Sequence, residues 1–303
     1  MPIAAENILL PEIKRYAGID IGSNAVRLII KDVIPGENYN KALLKKSLYV
    51  RLPVRLGADV FEYGKIRKKK EKDFINAMKV YKNLLDFYEV KNFRACATSA
   101  VRSAENGTEV ISKIKDKASI KIKIIDIHEE ANLIFETNKY HLPEDSTFLS
   151  ADLGGGSLQL SLFKSNKLFR SNSYKIGTIR MLKNKVKEKE LKRFENDLKE
   201  IITTHKNIKL IGTGGNINSV SKIFRNKTVS LIFMTNLYDE LQVLNINERM
   251  IRYFFRIDRA DVIIPALKVY IDIMKITGID EIYVPKTGLA DGIIRQLYED
   301  DFE

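Results

Sequence analysis

The stretch Leu149-Ser150-Ala151-Asp152-Leu153-Gly154-Gly155-Gly156-Ser157-Leu158-Gln159-Leu160-Ser161-Leu162 sets the architecture of this chain. An apolar run carries a carboxylate near its end and breaks into three consecutive glycines. It resumes as an alternating strand, with Leu158, Leu160 and Leu162 set against Gln159 and Ser161. Three glycines between strands let the backbone approach a ligand closely and turn successive N–H groups towards an anion. An aspartate at the mouth of such a turn is placed to hold a hydrated divalent cation beside that anion. Taken alone, the same residues also make an ordinary glycine-rich β-hairpin.

Nearer the N terminus the pattern recurs in Tyr16-Ala17-Gly18-Ile19-Asp20-Ile21-Gly22-Ser23-Asn24-Ala25-Val26-Arg27-Leu28-Ile29-Ile30. Asp20 and Asp152 lie about one domain apart, which predicts a duplicated fold with two phosphate-facing hairpins rather than a solenoid. A third strand from Leu43 to Val50 completes a first meander. The basic run from Lys65 to Lys72 opens an amphipathic helix through Phe74, Met78, Tyr81 and Leu85, so its charges read as a solvated helix start. Strands from Phe93 to Thr98 and Ile120 to Ile127 follow, with a helix between them near Gly107 to Lys117. His128-Glu129-Glu130-Ala131 then enters a helix with acids in its first turn. The polar segment Lys139 to Asp145 is the candidate linker. Beyond the glycine hairpin come a strand from Lys167 to Tyr174 and a helix over 183–206. Lys209 to Ile217 runs from strand through a glycine turn into a helix. Further helices are expected from Asn236 to Phe255 and Ala260 to Thr277, then a strand from Glu281 to Val284 and a closing helix from Leu289. Strand meanders mixed with crossover helices give an α/β fold.

The 303 residues suit two domains, and 45% apolar content supplies both with cores. A formal charge of +12 favours an anionic partner: nucleic acid, a phosphorylated metabolite, polyphosphate or an acidic surface. Cys96 is the only cysteine, so no intramolecular disulfide forms, and it reads as a small core residue. Near the N terminus Ile8-Leu9-Leu10 stops at Pro11, which predicts neither signal peptide nor membrane span and makes the cytoplasm the default location.

Five stretches carry a family resemblance: Asp20-Ile21-Gly22-Ser23-Asn24, Ala97-Thr98-Ser99-Ala100-Val101-Arg102, Glu129-Glu130-Ala131, Asp152-Leu153-Gly154-Gly155-Gly156-Ser157 and Gly212-Thr213-Gly214-Gly215-Asn216. In this order they resemble the exopolyphosphatase/guanosine pentaphosphate phosphohydrolase family, over about residues 15 to 295. The resemblance implies two duplicated ribonuclease H-like domains of the actin-like ATPase superfamily with a cleft between them. It places the domains at 1–138 and 139–303, the closing helix over 289–303 packing back onto the first. It also implies Mg²⁺, a homodimer, and polyphosphate or guanosine tetra-/pentaphosphate as ligand, with neither a nucleic-acid nor a membrane partner.

Residue by residue, Glu130 matches the family's catalytic base and Arg102 its phosphate-forking arginine. Asp20 and Asp152 resemble the acids that hold Mg²⁺ through water. The N–H groups of Gly22, Ser23, Asn24, Gly154, Gly155, Gly156 and Ser157 are expected to cradle phosphates, joined by Gly214 and Gly215 of the third glycine loop. His128, His141 and His205 show no metal-ligand spacing.

The chain departs from the family at defined places. The family usually continues its second hairpin as Ser-Thr-Glu, where this chain has Ser157-Leu158-Gln159. Asn132 stands for an arginine, Asn216 for a threonine, and Gly288-Leu289-Ala290-Asp291-Gly292 for Gly-Leu-Arg-Glu-Gly. The expectation is therefore a phosphoanhydride hydrolase, and the alternative a sensor that binds the same anions without turnover. A nucleotide-dependent kinase of the superfamily ranks third. A nucleic-acid-binding protein, resting on charge alone, ranks last.

Overall fold

The computed structural model describes residues 13–37, 41–137, 146–165 and 167–301. The candidate linker from Lys139 to Asp145 and His141 lie outside the described residues, as do residues 1–12 of the chain start.

In the first half, β1 (Lys14–Ile21), β2 (Val26–Ile34) and β3 (Leu43–Leu52) form an antiparallel meander. β4 (Asn92–Ala97) and β5 (Ile122–Ile124) join parallel to β1, giving the order β3-β2-β1-β4-β5. The second half repeats this plan. β6 (Thr147–Leu153), β7 (Leu158–Lys164) and β8 (Lys167–Tyr174) form the meander, and β9 (Ile208–Thr213) and β11 (Glu281–Tyr283) continue it in parallel. The short β10 (Thr228–Ser230) pairs antiparallel at the edge, so the order reads β10-β11-β9-β6-β7-β8. The duplication is therefore present in strand order as well as in the two glycine turns.

Each sheet is covered by crossover helices. In the first half these are α1 (Leu56–Tyr63), α2 (Lys68–Phe87), α3 (Ser99–Ser103) and α4 (Gly107–Ala118), with Phe74, Met78 and Tyr81 of α2 packed among Ile19, Ile21, Val26 and Leu28. In the second half they are α6 (Thr178–Leu182), α7 (Glu188–Thr204), α8 (Gly215–Phe224), α9 (Leu231–Val243), α10 (Ile246–Tyr253), α11 (Ile257–Ala260) and α12 (Ile263–Thr277). Leu149, Leu158, Leu160 and Leu162 of the central strands meet Phe194, Leu198 and Ile201 of α7 there. Burying a side chain of this size removes roughly 1.5–3 kcal/mol of apolar exposure, so the inward face of each strand fixes its register.

The halves also exchange a helix. α5 (Ile127–Glu136) ends the first half, yet its Phe135 stacks on Phe163 of β7 with centroids 3.7 Å apart, among Phe148 and Ile211 of the second sheet. α13 (Leu289–Asp300) ends the second half, yet its Ala290, Ile294 and Tyr298 pack on Tyr16, Ile29 and Val33 of the first sheet. Ile179 of α6 and Val262 enter the first half's core as well. Glu130 thus sits on the helix that joins the two units.

Several element bounds differ from the sequence reading for local reasons. The helix expected from Asn236 to Phe255 is broken at Leu244. Asn245 accepts from the Glu248 N–H at 3.1 Å and Glu248 accepts from the Asn245 N–H at 2.6 Å, a capping box that starts α10. The strand expected from Ile120 to Ile127 shortens to Ile122–Ile124, because the Asp126 carboxylate accepts from the Glu129 N–H at 2.8 Å and begins α5. The helix expected over 183–206 begins only at Glu188, and α1 and α6 are additional short helices.

Candidate active site

β1 and β6 lie at equivalent places in their sheets and end in Asp20 and Asp152 beside the two glycine turns. The turns face one another across a cleft of about 980 Å³. Asp20, Gly22, Ser23, Asn24, Glu130, Asp152, Gly154, Gly155, Gly156, Ser157, Gly214 and Gly215 all line it. The two tips are interlocked. A Cβ at Gly155 would stand 2.8 Å from Ile179 Cδ1 and 3.2 Å from Ser23 Cβ, and one at Gly156 would stand 2.5 Å from Ser99 Oγ. Glycine is required here by close approach.

Not every expected N–H is available to an anion. The Gly22 N–H donates to the Ala25 carbonyl at 3.1 Å and the Gly154 N–H to the Ser157 carbonyl at 2.9 Å, so both close their own turns. The N–H groups of Ser23, Asn24, Gly155 and Gly156 are not used in this way. The cradle is therefore narrower than the sequence suggests, because a hairpin must hydrogen-bond its own first residue to close.

The third glycine loop adds a helix terminus. Gly214 has φ +100°, and the Asn218 N–H donates back to its carbonyl at 3.2 Å. The earlier N–H groups of α8 stay open at a helix N-terminus, where the dipole favours negative charge. Two guanidiniums converge on the same point. A Cβ at Gly215 would be 2.6 Å from Arg259 Nη2 and 3.5 Å from Arg27 Nη2. Arg259 of α11 donates to Asn216 Oδ1. Its pKa is pushed down to about 9, first by burial and then by the neighbouring Arg51 and Arg27 charges. Arg27 and Arg51 are paired with Asp20 and Asp258, whereas Arg259 meets the neutral Asn216 amide.

Arg27 lies directly across β2 from Asp20 and donates to its carboxylate. Burial disfavours the Arg27 charge, but Asp20 outweighs that and holds its pKa above the ordinary value. Asp152 takes a different partner, accepting from Thr213 Oγ1 at 2.6 Å. Its pKa is raised, mainly by burial; the hydrogen bond from Thr213 opposes the rise and the Asp20 charge adds to it. Glu130 stands on α5 with its side chain 13% exposed. Burial pushes its pKa up to about 8, Arg102 opposes the shift, and the Asp152 and Asp20 charges add to it. The result is a carboxyl that ionises near neutrality.

Arg102 does not reach into the cleft in the way its sequence position suggests. It donates to the Ile125 carbonyl at 2.6 Å and to Glu130 at 3.3 Å, and so sits behind the glutamate. Gln159, directly opposite Asp152 on β7, also lines the cleft and donates through Nε2 to the Ile127 carbonyl at 2.6 Å. Arg27, Arg51 and Arg259 went unread in the sequence. Arg27 could have been found as the one charge inside the apolar run Ala25 to Ile30, whereas Arg259 belongs to no glycine motif.

The first half is also latched to the second at this edge of the cleft. Arg51 of β3 pairs with Asp258, Arg55 with Asp261 at 2.7 Å, and Asn24 Nδ2 donates to the Asp258 carbonyl at 2.9 Å. Among the described residues, no group of three or more His, Cys, Asp or Glu side chains could hold a metal alone. Also among them, no helix is long and apolar enough to cross a membrane.

Known proteins share this fold. The chain is 29% identical to a bifunctional 3-dehydroquinate synthase/phosphatase of Fusobacterium nucleatum over 93% of its own length and 46% of that protein. It is 22% identical to a guanosine-5'-triphosphate,3'-diphosphate pyrophosphatase of Vibrio parahaemolyticus over 94% of its length and 59% of that protein. The chain thus spans about half the length of the curated relatives it matches. Among solved structures, the Aquifex aeolicus Ppx/GppA family member superposes with TM-score 0.76 at 25% identity, over 96% of this chain and 100% of that one. An exopolyphosphatase of Cytophaga hutchinsonii superposes with TM-score 0.81 at 24% identity, over 95% and 98%, which shows the shared two-domain fold. The profile of the Ppx/GppA phosphatase family matches residues 49–300, and the chain belongs to that family.

Proposed function

We propose that the chain is a phosphoanhydride hydrolase that releases terminal phosphate from inorganic polyphosphate or the 5′ γ-phosphate of guanosine pentaphosphate. The observation that carries this reading is the convergence of Arg27 and Arg259 on Gly215, at the N-terminus of α8, in the cleft that Glu130 also lines. Guanidiniums and open N–H groups neutralise phosphoryl oxygens as charge develops. A carboxyl with pKa near 8 that faces the same cleft can orient a water and accept its proton. Arg102 positions Glu130 from behind rather than gripping phosphate.

The donor set suits Mg²⁺ only in its usual weakly held form. Asp20 and Asp152 each commit one oxygen, to Arg27 and Thr213, and keep the other. Mg²⁺ is commonly held by one or two carboxylates, with water and substrate phosphates completing the shell. Bound there, it would neutralise charge on the phosphate being transferred. The chain's own residues do the rest: Arg27 and Arg259 hold the anion, the hairpin tips exclude water, and Glu130 takes the proton.

The sensor reading is favoured by Gln159, an amide in a place where the family usually has a carboxylate. Calorimetric titration with polyphosphate and with guanosine pentaphosphate, paired with a phosphate-release assay in Mg²⁺, separates the two readings. Binding with release supports the hydrolase. Binding without release supports the sensor, and no binding of either ligand defeats both.

A further inference from the structure

We propose that Gln159 is a positioning residue for Glu130, setting the start of helix α5 through a hydrogen bond that an ionised acid at this place could not donate. The inference rests on the hydrolase reading for its kinetic consequence and on geometry alone for its structural one.

Gln159 is 5% exposed, at the end of β7 nearest the glycine turn. Its Nε2 has two hydrogens and two acceptors, the Ile127 carbonyl at 2.6 Å and Ser171 Oγ of β8 at 3.1 Å. Ser171 Oγ in turn lies 2.9 Å from Ser161 Oγ, so the amide anchors a short polar chain across β7 and β8. Ile127 opens α5, and Glu130 follows three residues later, one turn along and on the same side of the helix. The carbonyl of a first-turn residue has a second lone pair beyond its helical bond, and Gln159 occupies it.

The remaining polar holds on this end of α5 come from the first half. Asp126 caps the Glu129 N–H, Lys123 pairs with Glu129 at 2.6 Å, and Arg102 reaches Glu130. At the other end Phe135 stacks on Phe163. Gln159 is therefore the polar tie by which the second hairpin, carrying Asp152, sets its distance from the base. An ionised carboxylate in its place would oppose lone pair to lone pair at Ile127 and add negative charge beside Asp152 and Glu130. An amide avoids both.

The test uses the full chain carrying Gln159→Met, which keeps length without a donor, and Gln159→Glu, which keeps shape and loses the donor once ionised, so the latter is read on the alkaline side of about pH 8. Both should retain the wild-type far-ultraviolet circular dichroism spectrum and hydrogen exchange in β6 and β9. Amides of the first turns of α5 should exchange about three- to tenfold faster than in the wild type. Turnover should fall about tenfold in kcat, with KM within about twofold, as expected when a base is displaced and binding is not. Unchanged α5 exchange in both variants overturns the proposal, as does a loss confined to KM, which would place Gln159 on the substrate instead. A wild type that releases no phosphate defeats the hydrolase reading, and the exchange measurement then decides this one by itself.

Discussion

The two glycine hairpins occupy equivalent places in two sheets of the same strand order, yet they hold their aspartates by opposite means. In the first, the residue across from Asp20 is Arg27, and the carboxylate is clasped by a cation. In the second, the residue across from Asp152 is Gln159, which turns to helix α5 and leaves Asp152 with a hydroxyl partner. The same cross-strand place thus carries a cation in one hairpin and an amide in the other. Glu130 lies near both carboxylates, and its raised pKa follows first from burial, with Arg102 opposing and the Asp152 and Asp20 charges adding to it.

Removing the acid should have the largest effect. Glu130→Gln should lower phosphate release by about 10²–10⁴-fold, the usual contribution of a general base, while ligand affinity measured by titration stays within a few fold. It should also stabilise the protein. With its folded pKa raised to about 8, Glu130 keeps its proton in the native state while the unfolded chain has lost it. Stability is therefore lost as pH rises from the ordinary glutamate range through about 8. The thermal midpoint of Glu130→Gln should exceed that of the wild type by a few degrees at and above that pH, and the gap should close on acidification.

Removing the cation from the other hairpin should strike binding instead. Arg27→Ala takes a guanidinium from the anion and leaves Asp20 without its partner, so affinity for polyphosphate should fall about a hundredfold. The same titrations should show affinity falling with salt in the wild type and falling less steeply in the variant. A smaller effect is expected at the helix terminus between the hairpins. In Gly215→Ala the new methyl meets Arg259 Nη2 at 2.6 Å and must push the guanidinium aside, which should weaken binding about tenfold without changing the far-ultraviolet spectrum.

The smallest change concerns the latch. Arg51→Ala breaks the pair with Asp258 but keeps Arg55–Asp261. The pair is nearly buried, so Arg51→Ala leaves Asp258 without its counter-charge and should lower the thermal midpoint, while affinity should change only about two- to threefold. It should also widen the scattering profile of the unliganded chain more than that of the liganded one.

Much of this comparison is legible in the sequence, and its gaps have physical causes. The repeated pattern around Asp20 and Asp152 announces the duplication because it recurs about one domain apart. Glu130 stands out only beside the other motifs, since acids at a helix start are ordinary. Arg259 is not legible: it comes from a short helix far along the chain and reaches the site by tertiary packing. Arg102 misleads because its side chain bends to the Ile125 carbonyl and Glu130, a choice made by geometry rather than spacing. The break between α9 and α10 was there to be read, in Asn245 and Glu248, but apolar periodicity on both sides hid it. The return of α13 to the first sheet is expected from the family resemblance alone, and the crossing of α5 to the second leaves no local mark, because each helix is amphipathic whichever sheet it covers.

The central claim is that Glu130, held nearly uncharged among acids, is the proton acceptor for an anion bound by Arg27 and Arg259. It is tested most directly by phosphate release from guanosine pentaphosphate and polyphosphate across pH, in the wild type and in Glu130→Gln. The account predicts a rate that climbs through about pH 8 in the wild type and is lost at every pH in the variant. A wild-type rate that is flat through that range, or a variant that keeps it, would contradict the account.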